Sequence, residues 1–290
     1  MTRQPAVARR AEELLGSAVV ATAPVAGGDI ATATKLRLSD GSTALMKTLP
    51  NPPEGFFEAE ARGLRWLDEV EDGVPCVEVL AAAPDCLVVR WVEPGRPSPD
   101  AAGELGRRLA ATHAAGADAY GLAEDGFIGR LPLPNRSAPT WAEFYATRRV
   151  LPYLRLARDR GNATEADAAA VEAVVGRLTD LVPDEGPARI HGDLWSGNVL
   201  WGSDGAAHLI DPAAHGGHRE TDLAMLALFG LPHLPQLLEG YRDVAPLAEG
   251  WEDRVGVHQL HPLLVHACLF GGGYAARAAE AARRAVGGGS

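Results

Sequence analysis

Apolar and polar residues alternate in short runs over the first ninety positions, and helical spacing takes over beyond them. Val19–Val25 and Thr43–Thr48 read as strands, as does 31–38, which the turn Ser39-Asp40-Gly41-Ser42 joins to the latter. Helical spacing predicts one helix over 54–70, with further strands over 77–80 and 87–92. Ahead of them, Val7, Ala11, Leu14 and Leu15 mark a short amphipathic helix. The run Glu93-Pro94-Gly95-Arg96-Pro97-Ser98-Pro99 is the strongest linker signal. After it, 101–116, 140–159, 164–181 and 220–229 carry a helical pattern. So does 254–284, which Pro262 and Gly271-Gly272-Gly273 divide. The expectation is an α+β chain in two lobes. Residues 1–93 would form a small antiparallel β lobe with one main helix, and 94–290 a larger, mostly helical lobe.

Composition narrows the possible partners. The chain has 290 residues, 47% hydrophobic and 22% charged, enough for a real core. A formal charge of -11 argues against nucleic-acid or anionic-membrane partners, so an anionic nucleotide would need a local basic patch. No apolar run reaches membrane-spanning length, and the N-terminus lacks a signal-peptide core. Cys76, Cys86 and Cys268 have no metal spacing, which favours buried, reduced thiols in a cytoplasmic protein. A monomer is expected.

The chemistry concentrates in 191–212. Val199–Trp201 and 207–210 read as a hairpin around Asp204-Gly205, taken as a type I′ turn. That register sets Asn198 directly opposite Asp211, roughly 4.5–5.5 Å apart at Cα. An amide and a carboxylate meeting at the open end of a hairpin suit magnesium. Asp193, on the entering loop, is then free to act as a base. Base, Asn ligand, Asp ligand is the active-site order of protein-kinase-like phosphotransferases.

The helix over 54–70 adds a second constellation. Phe57, Glu60, Leu64 and Leu67 share one face, so Glu60 points into the lobe and needs a partner. Lys47, on the strand face of Thr43 and Leu45, supplies one. Such a pair positions nucleotide phosphates in kinases. Glu58, off the stripe, reads as a surface partner of Arg62. Gly27 and Gly28 could bend a phosphate-covering loop, although neither GxGxxG nor GxxxxGK[ST] occurs.

His191 reads as a loop-bracing residue. His215, His218, Glu220 and Asp222 match no zinc spacing. They read as a flexible Gly216-Gly217 loop followed by a helix capped by Thr221 or Asp222. His258, His261 and His266 are expected in the core or an interface. Trp195 and Trp201 flank the site, where they could stack on a sugar or fill the lobe interface.

These residues resemble the fructosamine/ketosamine kinase family, in the aminoglycoside-phosphotransferase-like branch of the kinase superfamily. The likeness rests on the whole run His191-Gly-Asp-Leu-Trp-Ser-Gly-Asn198, on Asp211-Pro212-Ala213, on Gly217-His218-Arg219-Glu220 and on Asp222-Leu223-Ala224-Met225. Phe127-Ile128-Gly129, Pro134-Asn135, Trp141, Arg148-Arg149 and Phe270-Gly271-Gly272-Gly273-Tyr274 extend it over nearly the whole chain. Leu133 and Gly126 depart from the family pattern on the sugar side, and 23–34 lacks the phosphate-loop cysteine of some relatives.

The resemblance implies a protein-kinase-like fold that uses ATP and Mg2+ to phosphorylate O3 of a ketosamine, free or protein-bound, as a deglycation repair. Adenine would lie against the backbone at Arg90, Trp91 and Val92. Lys47, held by Glu60, would meet the α/β-phosphates, Asn198 and Asp211 the metal, and Asp193 the attacking hydroxyl. Trp195, Asn135 and Trp201 would face the substrate.

Overall fold

The computed structural model describes residues 6–26 and 30–287. Helix α1 (Ala6–Leu15) leads into strands β1 (Val19–Val25), β2 (Thr32–Leu38) and β3 (Thr43–Thr48). Then come α2 (Phe56–Asp68), β4 (Val79–Ala83) and β5 (Cys86–Arg90). The five strands form one antiparallel sheet in the order β1-β2-β3-β5-β4. Strand alternation gives the sheet two apolar faces. Ala44, Met46 and Val88 pack under Ala8 and Ala11 of α1 on one side. Leu87 and Val89 pack on the other with Phe57, Leu64 and Leu67 of α2, each at most 2% exposed.

Residues 93–98 are not a free tether. Ser203 N–H donates to Glu93 C=O at 2.8 Å, and Gly95 N–H to Trp201 C=O at 2.7 Å, so the segment is laced to the later hairpin. Helix α3 (Pro99–Ala114) follows, capped by the Ser98 hydroxyl on Ala101 N–H. The short hairpin β6 (Gly126–Ile128) and β7 (Leu131–Leu133) comes next. It reaches back to the first lobe, where Phe127 meets Phe56 of α2 at 5.2 Å.

Helix α4 (Trp141–Phe144) runs through a π-helical stretch, Tyr145–Val150, into α5 (Leu151–Asp159), where one helix was expected. After α6 (Glu165–Val175) and α7 (Leu178–Leu181), strands β8 (Ala188–Ile190), β9 (Val199–Trp201), β10 (Ala207–Leu209) and β11 (His215–Gly217) frame the 191–212 segment. Helices α8 (Glu220–Phe229), α9 (Leu234–Val244), α10 (Trp251–His258), α11 (Leu260–Phe270) and α12 (Tyr274–Gly287) complete the second lobe. Pro262 does not divide the C-terminal helices. It sits in the first turn of α11, where its missing N–H costs nothing, and the break falls at Gln259. No helix among the described residues is long and apolar enough to cross a membrane.

Candidate active site

A cleft of about 1250 Å³ separates sheet and helical lobe, and most of the residues singled out in the sequence line it. Lys47 leaves β3 on the face opposite Ala44 and Met46. Its ammonium lies 2.6 Å from Glu60 Oε1 of α2 and also contacts the Asp211 carboxylate. Lys47 is only 8% exposed, and two carboxylates offset the cost of desolvating it. Arg62 does not pair with Glu58 but with Glu124, at 2.9 Å, because the 124–126 segment lies within reach of α2.

The hairpin differs from its expected register by one residue. Val199 pairs with Leu209 and Trp201 with Ala207. Gly202 N–H donates to Ala206 C=O at 2.8 Å, and Gly205 N–H to Gly202 C=O at 3.1 Å. Among the described positive-φ residues the turn holds one, Gly205 at 84°. A type I′ turn needs two, so the loop is a type I turn closed by a glycine bulge. Asn198 therefore lies opposite Ile210, not Asp211. Asp211 adopts φ 53°, a left-handed conformation rare outside glycine, and this kink returns its side chain to the cleft that Asn198 lines.

The catalytic loop is held from behind. Asp222 of α8 accepts from the backbone N–H of His191 at 2.8 Å and of Gly192 at 2.9 Å. Its carboxylate also accepts from His113 Nε2 at 3.2 Å, and Tyr241 O–H donates to His113 Nδ1 at 2.8 Å. Burial alone would raise the Asp222 pKa, but the His113 hydrogen bond and nearby charges bring it below the ordinary value. Asp222 is thus an anchor inside the helix. It is not a cap, and neither is Thr221: Arg219 occupies the cap position.

His191 is fully buried and lowered in pKa by desolvation. Its Nε2–H donates to Ile210 C=O at 2.8 Å, while Nδ1 accepts from Asp193 N–H at 3.2 Å. The neutral ring ties the Asp193 loop to the segment leading into Asp211.

Asp193 reaches the cleft half-buried. Burial pushes its carboxyl up to about 7, opposed by a hydrogen bond from Asn198 Nδ2 at 3.2 Å. The same amide nitrogen donates to Asp193 C=O at 2.8 Å. With its nitrogen so engaged, Asn198 keeps its side-chain oxygen free of those bonds. Together with the Asp211 carboxylate this is a hard oxygen donor set that fits Mg2+.

Of the proposed nucleotide-side residues, Arg90, Trp91 and Val92 border the cleft, and no backbone hydrogen bond among the described residues engages Val92. The Arg90 side chain turns away to Glu78 at 3.0 Å. Gly27 and Gly28 lie outside the described residues.

On the acceptor side, Trp195 is 38% exposed, and its ring lies across Gly197, where a Cβ would collide with the indole. That contact explains a glycine beside the tryptophan in this run. Trp201 lines the cleft half-buried. Asn135 borders it too, but its amide is spent internally, donating to Glu124 C=O at 3.1 Å and accepting from Arg149 at 2.6 Å. Its side chain braces the loop instead of presenting a free amide.

The expected flexible loop at Gly216-Gly217 is strand β11, paired with β8. Its glycines permit close approach: a Cβ would strike the Ala119 carbonyl at Gly216 and Ile190 at Gly217. His218, Glu220 and His258 gather in the core behind it, each at most 2% exposed. Glu220 is bound in two places by Arg254, at 3.0 and 2.6 Å, and its pKa falls to about 2: burial raises it, but the Arg254 hydrogen bonds and the His258 ring 3.3 Å away outweigh that. Arg254 lies more than thirty residues away in sequence, so nothing local announced it.

A sheet lobe carrying a Lys–Glu pair, set over a helical lobe carrying Asp193, Asn198 and Asp211, is the architecture of the protein-kinase-like phosphotransferases. A macrolide 2′-phosphotransferase from Brachybacterium faecium shares this fold, at a TM-score of 0.61 with 16% identity and 96% of each chain covered.

Closer matches define the family. A family model described as fructosamine kinase matches residues 3–286. A probable ketoamine kinase of Thermus thermophilus is 40% identical over 252 residues, 87% of this chain and 88% of that one. The crystal structure of a candidate fructosamine-3-kinase from Thermobifida fusca superposes with a TM-score of 0.92 at 49% identity, covering 97% of this chain and 98% of that one. The chain belongs to the fructosamine kinase family.

Proposed function

We propose that this kinase transfers the γ-phosphoryl group of ATP to O3 of a ketosamine, a 1-amino-1-deoxyketose, so that the product can decompose and release the amine. The observation that carries the reading is the gathering of Lys47, Glu60, Asp211, Asn198 and Asp193 around one cleft in a chain of this family. Residues 1–93 would serve as the nucleotide-binding lobe and 94–290 as the catalytic and substrate lobe, with adenine against the backbone at Val92.

Lys47, fixed by Glu60, binds the α/β-phosphates. Asn198 and Asp211 would hold Mg2+, which when bound would neutralise phosphate charge. Asp193 orients the sugar hydroxyl and accepts its proton as the new O–P bond forms and the bond to ADP breaks. Phosphoryl transfer asks chiefly for such positioning and charge neutralisation. Trp195 and Trp201 flank the acceptor, and Gly27-Gly28 would cover the phosphates.

An ATP-consumption screen over ribulosamines, fructosamines and aminoglycosides, with the phosphate position read by NMR, tests the proposal. Turnover of a ketosamine with phosphate on O3 is expected. Turnover of aminoglycosides alone would overturn it.

A further inference from the structure

The cleft continues past the catalytic loop into a wall of rings that the transfer chemistry does not use. Trp195, two residues after Asp193, meets Phe229 of α8 edge-on at 6.2 Å. Phe229, Phe270 and Tyr274 then surround the ring of His266, with centroids 4.8, 5.5 and 5.1 Å from it. His266 is held in place by its Nδ1–H, which donates to Pro262 C=O at 2.8 Å. Gly271, Gly272 and Gly273 all have positive φ and fold the chain back sharply enough for Tyr274 to rejoin the ring of His266. All of these side chains border the cleft, yet Phe270 remains 53% exposed. A large apolar side chain left open in such a cleft calls for an apolar occupant.

Charge narrows that occupant further. Asp125, exposed, borders the same cleft, and Glu124 does so paired with Arg62; the wall itself stands at the C-terminal end of α11, where carbonyl dipoles disfavour anions. Aromatic faces also attract an alkylammonium. We propose that Phe229, Phe270 and Tyr274, gathered around His266, form the subsite for the amine-borne substituent of the acceptor. This subsite takes apolar, uncharged or cationic substituents and rejects carboxylates. The inference rests on the ketosamine reading and names the half of the substrate which that reading left open.

The test uses the full chain and two ketosamines that share one 1-deoxyketose and carry either benzylamine or glycine as the amine on C1. Wild-type kcat/KM is expected to favour the benzylamine conjugate by about tenfold or more. Phe270→Ala and Tyr274→Ala should each shrink that ratio through KM for the benzylamine conjugate, with KM for ATP at the wild-type level. Phe270→Leu should restore part of it. Equal use of the two conjugates by wild type, or a ratio that survives both alanine variants, would overturn the subsite while leaving the ketosamine reading intact. Failure of wild type on both conjugates, with turnover of aminoglycosides, would remove the ketosamine reading and the subsite together.

Discussion

The two ends of the cleft are built on opposite principles. At the charged end, side chains from separate elements meet at ion-pair or hydrogen-bond distance, and each is fixed by another: Lys47 by Glu60 and Asp211, Asp193 by Asn198. At the aromatic end, rings touch one another but leave Phe270 and Trp195 open to solvent. Buried charges tolerate little displacement, because a lost partner leaves an uncompensated ion. Apolar contacts are non-directional and tolerate adjustment. The charged groups are therefore rigidly placed, and the aromatic wall is left adaptable.

If that contrast holds, substitutions at the charged end should be all-or-none. Asp193→Ala is expected to cost about 10³-fold in kcat with ATP affinity retained, read by steady-state kinetics and calorimetry. Near-normal turnover would remove Asp193 as the base.

Asp222→Ala tests the support behind it. It leaves the His191 and Gly192 amides without their acceptor and should lower stability by about 3–5 kcal/mol in denaturant melts. A loss of activity without a loss of stability would show that the anchor is not structural.

Titration supplies a subtler effect. Asp193 accepts a proton only when ionised, so the rate should fall about tenfold per pH unit below about 7. The stability consequence has the opposite sign. The folded pKa exceeds the usual carboxylate value, so stability falls as pH rises from about 4 to about 7 and is level above that. Asp193→Asn should therefore melt above wild type at pH 8, and the two curves should converge near pH 4.

The smallest change is expected at the adaptable end. In Gly197→Ala the new methyl displaces the Trp195 ring, which is free to move, so stability should shift by less than about 1 kcal/mol while acceptor KM rises. A collapse of stability would mean that the acceptor end is as rigid as the other.

Much of this was legible in the chain because its signals are local. Phe57, Glu60, Leu64 and Leu67 share a face by helical geometry alone, and strand alternation aims Lys47 away from Ala44 and Met46. Helix α9 and the β6–β7 hairpin were not foreseen. The hairpin strands are only three residues each, and short runs carry almost no periodicity. The Trp195-Ser196-Gly197-Asn198 run was recognisable as a pattern, but its reason, an indole lying across a glycine, is a contact and not a spacing.

What the sequence determined by itself is the inventory of chemistry and its order: a lysine and a glutamate on inward faces, then Asp193, Asn198 and Asp211. Local periodicity and turn composition suffice for that. Only the tertiary structure decided the hairpin register and the left-handed turn at Asp211, since a single backbone dihedral moves every later side chain to the other face. It alone also made Asp222 an anchor instead of a cap, joined Glu220 to Arg254, and closed a ring of aromatic side chains around His266. Those arrangements depend on packing between distant segments, which no local pattern encodes.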